Sequence, residues 1–363
     1  MGDDGTMSTP ADDAPEPALP ALPALPEILE TARVVSLPLS VRFRGVTHRE
    51  AVLFRGPAGW GEFCPFLEYG PQESSRWLAC AIEMAWREPP APLRTTVPIN
   101  ATVPAVPPEQ VAPVLARSRG RVREVKVKVA ERGQSLAEDL ARLRAVREVA
   151  PRAVIKTDAN AGWTHEQALA ALEAFEEFSP AYAEQPVAGI DGLARLREEA
   201  RRRGLSTPIA ADESVRKETD PLEVARRGAA DLIVVKAAPL GGVRAALGVI
   251  RQAGLPAVVS SALESSVGMA AGLALAAALP QLPHACGLGT ASLYAEDLVE
   301  NPLVPRDGEL PVTRPAPERE LLARHEVTGQ RREWWLERTR AAYEALRGRR
   351  EAEESGVESG RIA

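Results

Sequence analysis

The sequence predicts an α/β protein, a modified (β/α) TIM-type barrel capped by an N-terminal α+β domain, on three observations. Short apolar strands alternate with amphipathic helices from about Gly120 to Thr290. Three extended segments and a helix precede them, and polar side chains recur at the ends of successive strands. The chain, at 363 residues, is long enough to fill both parts.

Residues 1–28 are acidic, then rich in Pro, Ala and Leu, without the basic start and unbroken apolar run of a signal peptide, and read as a disordered tail. From Ala32 to Pro65, ARVVSLPL, HREAVLFRG and GWGEFCP are separated by polar or glycine-containing turns, which predicts an antiparallel meander. Residues 73–87 place Trp77, Ala81, Met84 and Ala85 at helical spacing. Residues 29–110 are therefore assigned to the α+β capping domain, completed by C-terminal residues from about 300 to 349, and 111–299 to the catalytic barrel.

The barrel strands are REVKVKVA, AVIKTDAN, PAYAEQPV, TPIAADES, ADLIVVKAAP, AVVSSALESS and HACGLGT, with helices such as SLAEDLARLRAVREVA and GVRAALGVIRQAG between them. The active site of such a barrel lies at the C-terminal ends of its strands. Residues 329–349 predict an amphipathic helix packing back on the first domain, with Trp334 and Trp335 as packing residues rather than a ligand platform, and 350–363 read as a second disordered tail.

Composition narrows the function. A net charge of −6 with both signs intermingled offers no basic stripe, which argues against nucleic acid as a partner. The cysteines, Cys64, Cys80 and Cys286, are odd in number and far apart, which argues against a disulfide framework or zinc knuckle and suits a reducing cytoplasm. The longest apolar stretch, around 267–280, is too short to span a bilayer, so no membrane role is expected. A small anionic substrate would need locally placed cations; whether the chain is a monomer or a homo-oligomer stays open.

Lys126 and Lys128 are two apart and so share one face of their strand, while Val125, Val127 and Val129 take the other. Either both ammonium groups point into the barrel, or KVKV is an edge strand showing lysine to water. A lysine inside should have carboxylate neighbours and a depressed pKa suited to proton transfer. The next three strands end in Asp158, Glu184 and Asp212, spaced by about one βα unit each, so consecutive strands bring three oxygen ligands together. That set suits a hard Mg²⁺ or Mn²⁺ ion. Zinc would prefer His or Cys, and His48, His165, His284 and His325 show no ligand pairing. Lys236 ends DLIVVK, one unit beyond Asp212, and is expected to face Lys128 across the barrel.

KVKV, TDAN, AEQP, ADES and VVK, in this order, resemble the metal and lysine signature of the enolase superfamily, muconate-lactonising-enzyme subgroup, and GWGE (Gly59 to Glu62) resembles that family's first domain. The resemblance covers roughly residues 30–310. It implies a Mg²⁺- or Mn²⁺-dependent enzyme that removes a proton beside a carboxylate, with Asp158, Glu184 and Asp212 as metal ligands and Lys128 and Lys236 as the catalytic pair. Lys126 and Asn160 take supporting roles. VPINATVPAV, KAAPLGG and SSALESSVG resemble members that dehydrate a cyclic hydroxy acid, a resemblance that implies a lyase; racemases of N-succinylamino acids share the same lysines and metal and are the alternative, with an inactive barrel kept as a binding scaffold more remote. Epimerases of dipeptides usually carry an aspartate-rich DxD where this chain reads SALES. Ser260, Ser261 and the ESS stretch could anchor a second substrate carboxylate, or ESS could cap the following helix.

Overall fold

A short helix, α1 (Leu25–Glu30), leads into strands β1 (Arg33–Phe43), β2 (Val46–Gly56) and β3 (Gly59–Phe63) in the computed structural model, which describes residues 21–43, 46–216 and 220–360. The three strands form an antiparallel sheet in the order β1-β2-β3, the predicted meander. Residues 21–28, assigned from sequence to a disordered tail, are instead packed on the protein and enter α1. Ile28 on α1 is fully buried and the Tyr343 hydroxyl donates to the carbonyl of Pro23 at 2.9 Å; residues 1–20 of that tail lie outside the described residues. Helix α2 (Pro71–Trp86) lies directly on β3, close enough that a Cβ at Gly61 would meet the Ala81 carbonyl oxygen at 2.1 Å.

The chain then passes through β4 (Thr96–Pro98), β5 (Ala101–Val103) and α3 (Val111–Ala116) into the βα repeat: β6 (Glu124–Lys128), α4 (Leu136–Val149), β7 (Val154–Asp158), α5 (His165–Phe175), β8 (Ala183–Glu184), α6 (Ile190–Arg202), β9 (Ile209–Ala211), α7 (Asp220–Arg226), β10 (Leu232–Val235), α8 (Val243–Ala253), β11 (Ala257–Val259) and α9 (Ser266–Ala278). Strands β5 to β11 form one parallel sheet in sequential order. Its first member, β5, replaces the division expected at 110: the barrel sheet already begins at Ala101. A three-residue strand inside VPINATVPAV leaves too little alternation to be seen as one.

HACGLGT forms no regular strand. Its residues instead bridge the two sheet edges, Ser260 to Gly287 and Ile99 to Cys286, both parallel, with Gly287 N–H donating to Val259 O at 2.8 Å and Asn100 N–H to Cys286 O at 3.1 Å. This narrow seam closes the barrel.

Three apolar clusters follow from the strand periodicity. Val103, Val125, Val127 and Ile155 face outward onto Val111, Leu143 and Val146 of the helices; Tyr182, Ala210, Leu232, Val234 and Val258 fill the barrel interior; and the largest cluster runs from the meander through α2 into the helices around β8 to β11. Past the barrel, β12 (Glu309–Pro311) pairs antiparallel with β4, α10 (Arg319–His325) follows, and α11 (Gly329–Gly360) packs on α2. Residues 350–360, expected to be disordered, continue α11, whose Arg347 reaches Glu351 one turn on at 3.6 Å. Trp335 is fully buried, and the half-exposed Trp334 has the guanidinium of Arg331 4.3 Å from its ring centre. Among the described residues no helix is long and apolar enough to cross a membrane.

Candidate active site

Strand β6 is flanked by β5 and β7, which removes the edge-strand reading of KVKV. Lys126 and Lys128 project into the barrel, opposite the outward Val125 and Val127. Backbone register fixes what they meet: Lys128 pairs with Asp158, and Asp158 in turn with Glu184, so these polar residues stand side by side on adjacent strand ends. Glu184 pairs with Ala210, and Asp212, two residues further, shares that inward face.

Each carboxylate meets an ammonium group. Lys128 Nζ donates to Asp158 Oδ2 at 2.5 Å and to Asn160 Oδ1 at 2.6 Å. Lys126 Nζ is shared between both oxygens of Glu184 and Asp158 Oδ2, all at 3.2 Å. Lys236, whose strand β10 is separated from β6 by three others, donates to Asp212.

Burial and charge then set the acidities. Burial opposes ionisation of Asp158, but Lys128 and Lys126 overcome it and hold its carboxyl far below the usual range; burial likewise opposes ionisation of Asp212, and Lys236 overcomes it and lowers that carboxyl. Glu184 has the smallest share of cation, and burial together with the charge of Asp158 pushes it up to about 8. Burial would depress Lys126, yet Glu184 and Asp158 raise it well above its ordinary value, the reverse of the depressed pKa expected of a lysine in the barrel.

Supporting groups hold this arrangement. Asn160, in the left-handed region at φ 44°, donates its backbone N–H to Asp158 Oδ1 at 3.1 Å and its amide to Glu213 Oε1 at 3.1 Å. Gln185, which sequence reasoning missed, is fully buried; its Oε1 accepts from the backbone N–H of Asp212 at 3.0 Å and of Ser214 at 3.1 Å, fixing the third carboxylate. Its place beside Glu184 in AEQP was the only available signal, and alternation alone would turn it away from the site. Lys156 and Glu124 were also missed. They pair at 2.7 Å inside the barrel, next to Lys126.

Every predicted site residue except Glu184 lines a cavity of about 460 Å³ at the barrel mouth, which the capping domain closes with Phe66, Tyr69 and Trp77. Ser260 and Ser261 line it, with Ser261 Oγ bonded to Thr290 Oγ1 at 2.8 Å. The ESS stretch does not. Ser265 caps α9, accepting from Val267 N–H, and Ser266 is tied to Asp297, so the capping role applies and the anchoring role is withdrawn for these residues.

Among the described residues, no three acidic, histidine or cysteine side chains sit close enough together to hold an ion, because lysine ammonium groups stand between the carboxylates. The donor set nonetheless fits a hard divalent cation: three buried carboxylates from consecutive strands, oxygen throughout, with Glu184 short of positive charge.

The sequence and fold agree on a class. Residues 34–85 match the enolase N-terminal domain-like family and 110–317 the enolase C-terminal domain-like family, and the chain belongs to the enolase superfamily, whose enzymes are metal-dependent. Among solved structures, muconate lactonizing enzyme from Pseudomonas putida superposes with a TM-score of 0.68 at 22% identity, over 82% of this chain and 98% of that one. The 2-chloromuconate cycloisomerase from Rhodococcus opacus 1CP superposes with a TM-score of 0.67 at 24% identity; these two likenesses show the fold. More specifically, the chain falls among the o-succinylbenzoate synthases. Proteins of that name from Mycobacterium ulcerans (strain Agy99) and Mycobacterium tuberculosis (strain ATCC 25618 / H37Rv) are each 52% identical over 320 residues, 88% of this chain and 95% of theirs.

Proposed function

We propose that the protein is a lyase that dehydrates 2-succinyl-6-hydroxy-2,4-cyclohexadiene-1-carboxylate to 2-succinylbenzoate, the o-succinylbenzoate synthase step of menaquinone biosynthesis. The observation that carries this reading is the pair of lysines, Lys128 and Lys236, seated on carboxylates at opposite sides of one cavity within a chain 52% identical to named synthases. Asp158, Glu184 and Asp212 would hold Mg²⁺ or Mn²⁺, which when bound draws charge from the substrate carboxylate and raises the acidity of the neighbouring C–H.

Lys128 Nζ takes the proton from the ring carbon bearing the carboxylate. The same nitrogen then returns it to the ring hydroxyl, which leaves as water as its C–O bond breaks and the ring becomes aromatic. Lys236, as an ammonium, offsets charge on the far face. Lys126, with its proton held tightly, keeps the acidic cluster compact.

The test is to assay purified enzyme, supplied with Mg²⁺, on the cyclohexadiene substrate and on N-succinylamino acids, following the aromatic product by absorbance and racemisation by optical rotation. The dehydration should show the higher kcat/KM. Racemisation ahead by more than about tenfold, roughly 1.4 kcal/mol of transition-state binding, overturns the synthase reading.

A further inference from the structure

The segment GWGE places a glutamate inside the capping domain, and the chemistry above makes no use of it. Glu62 is nine-tenths buried and reaches out of β3 to the opposite domain. It accepts from the backbone N–H of Ser265 at 3.0 Å, from the Ser265 hydroxyl, and from the N–H of Gly268 at 3.1 Å. The contact needs glycine at 268, since a Cβ there would meet the Glu62 carboxyl carbon at 2.8 Å.

Arg49, on neighbouring β2 and equally buried, does the same with carbonyls. Its Nε donates to Leu263 O at 3.1 Å, and its Nη2 donates to Ala262 O at 3.3 Å and to Cys64 O, while its plane lies 4.2 Å over the ring centre of Phe66. The Tyr294 hydroxyl joins it on Leu263 O at 2.8 Å. Both anchors grip Ser260–Ser265, the turn that follows β11, Arg49 at Ala262 and Leu263 and Glu62 at Ser265. Leu263 in it adopts φ 64°, a conformation a leucine holds only when its surroundings impose it.

Ser260, Ser261, Ala262, Leu263 and Phe66 all line the cavity. A buried guanidinium satisfied by carbonyls in the middle of the turn, and a buried carboxylate satisfied by N–H groups at its end and just after it, fix the turn's path at two points. Taking the proposed dehydration as the reaction, we infer that Arg49 and Glu62 are positioning residues: the capping domain sets the shape of the barrel rim Ser260–Leu263, and through it the fit of the substrate's succinyl arm. Neither side chain touches the reacting atoms. Their effect is on binding and on the choice between substrates rather than on proton transfer.

The experiment is to compare R49M, R49K and E62Q with wild type on both the cyclohexadiene substrate and an N-succinylamino acid, with the folded fraction of each read from near-UV circular dichroism. R49M should raise KM by about tenfold or more while kcat per folded enzyme stays within about threefold, and should shift the ratio of kcat/KM between the two substrates. R49K, which keeps the charge but loses the forked geometry, should recover part of the loss, and E62Q should move KM in the same direction. An unchanged KM and substrate ratio in all three, with activity falling only as the folded fraction falls, overturns the inference. The wild-type preference between substrates tests the synthase reading separately, so either idea can fail without the other.

Discussion

At the scale of single residues, the site is a balance of buried charges in which each lysine has a defined acid. Lys128 sits on Asp158 and Asn160, and the proposed mechanism gives its nitrogen the substrate's acidic proton. Lys128→Ala should lower kcat by roughly 10²–10⁴, the usual cost of losing a positioned acid or base, and should abolish solvent deuterium exchange at that carbon. Exchange at the wild-type rate in the variant would take proton transfer away from Lys128. Glu184 gives a pH signature. In the folded, metal-free protein its carboxyl holds a proton up to about pH 8, whereas in the unfolded chain it ionises near 4.5. The folded state thus binds more protons between those values, so the contribution of Glu184 to stability is full at the acid end and is lost as pH rises toward 8. In chelator, the urea midpoint should fall between pH 5 and pH 8 in wild type and fall less in Glu184→Gln; equal slopes would show that Glu184 is already ionised.

At the scale of elements, the barrel depends on a seam that has no regular strand. Lys156 Nζ donates to Ala285 O at 2.7 Å while Glu124 Oε2 accepts from Ala285 N–H at 3.1 Å, so the ion pair grips both sides of one residue in the closing segment. Lys156→Met should cost about 3–5 kcal/mol in urea unfolding, because Glu124 is left uncompensated, and adding Glu124→Gln should restore part of it. A double variant no more stable than the single would show that the pair does not work as a unit. This seam also marks where the sequence stops being readable. Strand ends bearing Asp158, Glu184, Asp212 and Lys236 stand out because charge interrupts apolar runs at intervals of about one βα unit. By contrast, β5 is three residues long and HACGLGT is held by bridges from its neighbours, so neither has a period to detect. Arg49 and Gln185 act through contacts made across elements, which no local pattern encodes, whereas the alternation that turns Lys126 inward also turns Glu124 inward without showing its partner Lys156.

At the scale of the whole molecule, the two domains share one apolar core. The largest cluster passes from Val34, Val52 and Trp77 of the capping domain through Ala237, Leu240 and Leu273 around the barrel to Trp335, Leu336 and Leu346 of α11. The C-terminal helix is therefore part of the first domain's core even though the barrel separates them in sequence. Arg49 and Glu62 add polar ties across the same boundary. The barrel keeps two smaller clusters of its own, but because the largest one is continuous across the domain boundary, unfolding should be a single cooperative transition rather than two. Trp335→Ala tests this at a point far from the chemistry. Trp335 is fully buried, with its ring 6.2 Å from that of Phe63 in an edge-on pair, and its truncation should cost about 3–5 kcal/mol. In scanning calorimetry the whole transition should move to lower temperature as one peak, with the barrel losing its ellipticity at the same temperature as the capping domain. A second peak left at the wild-type temperature would mean that the barrel stands alone, and that the capping domain reaches the active site through its polar contacts without sharing its stability.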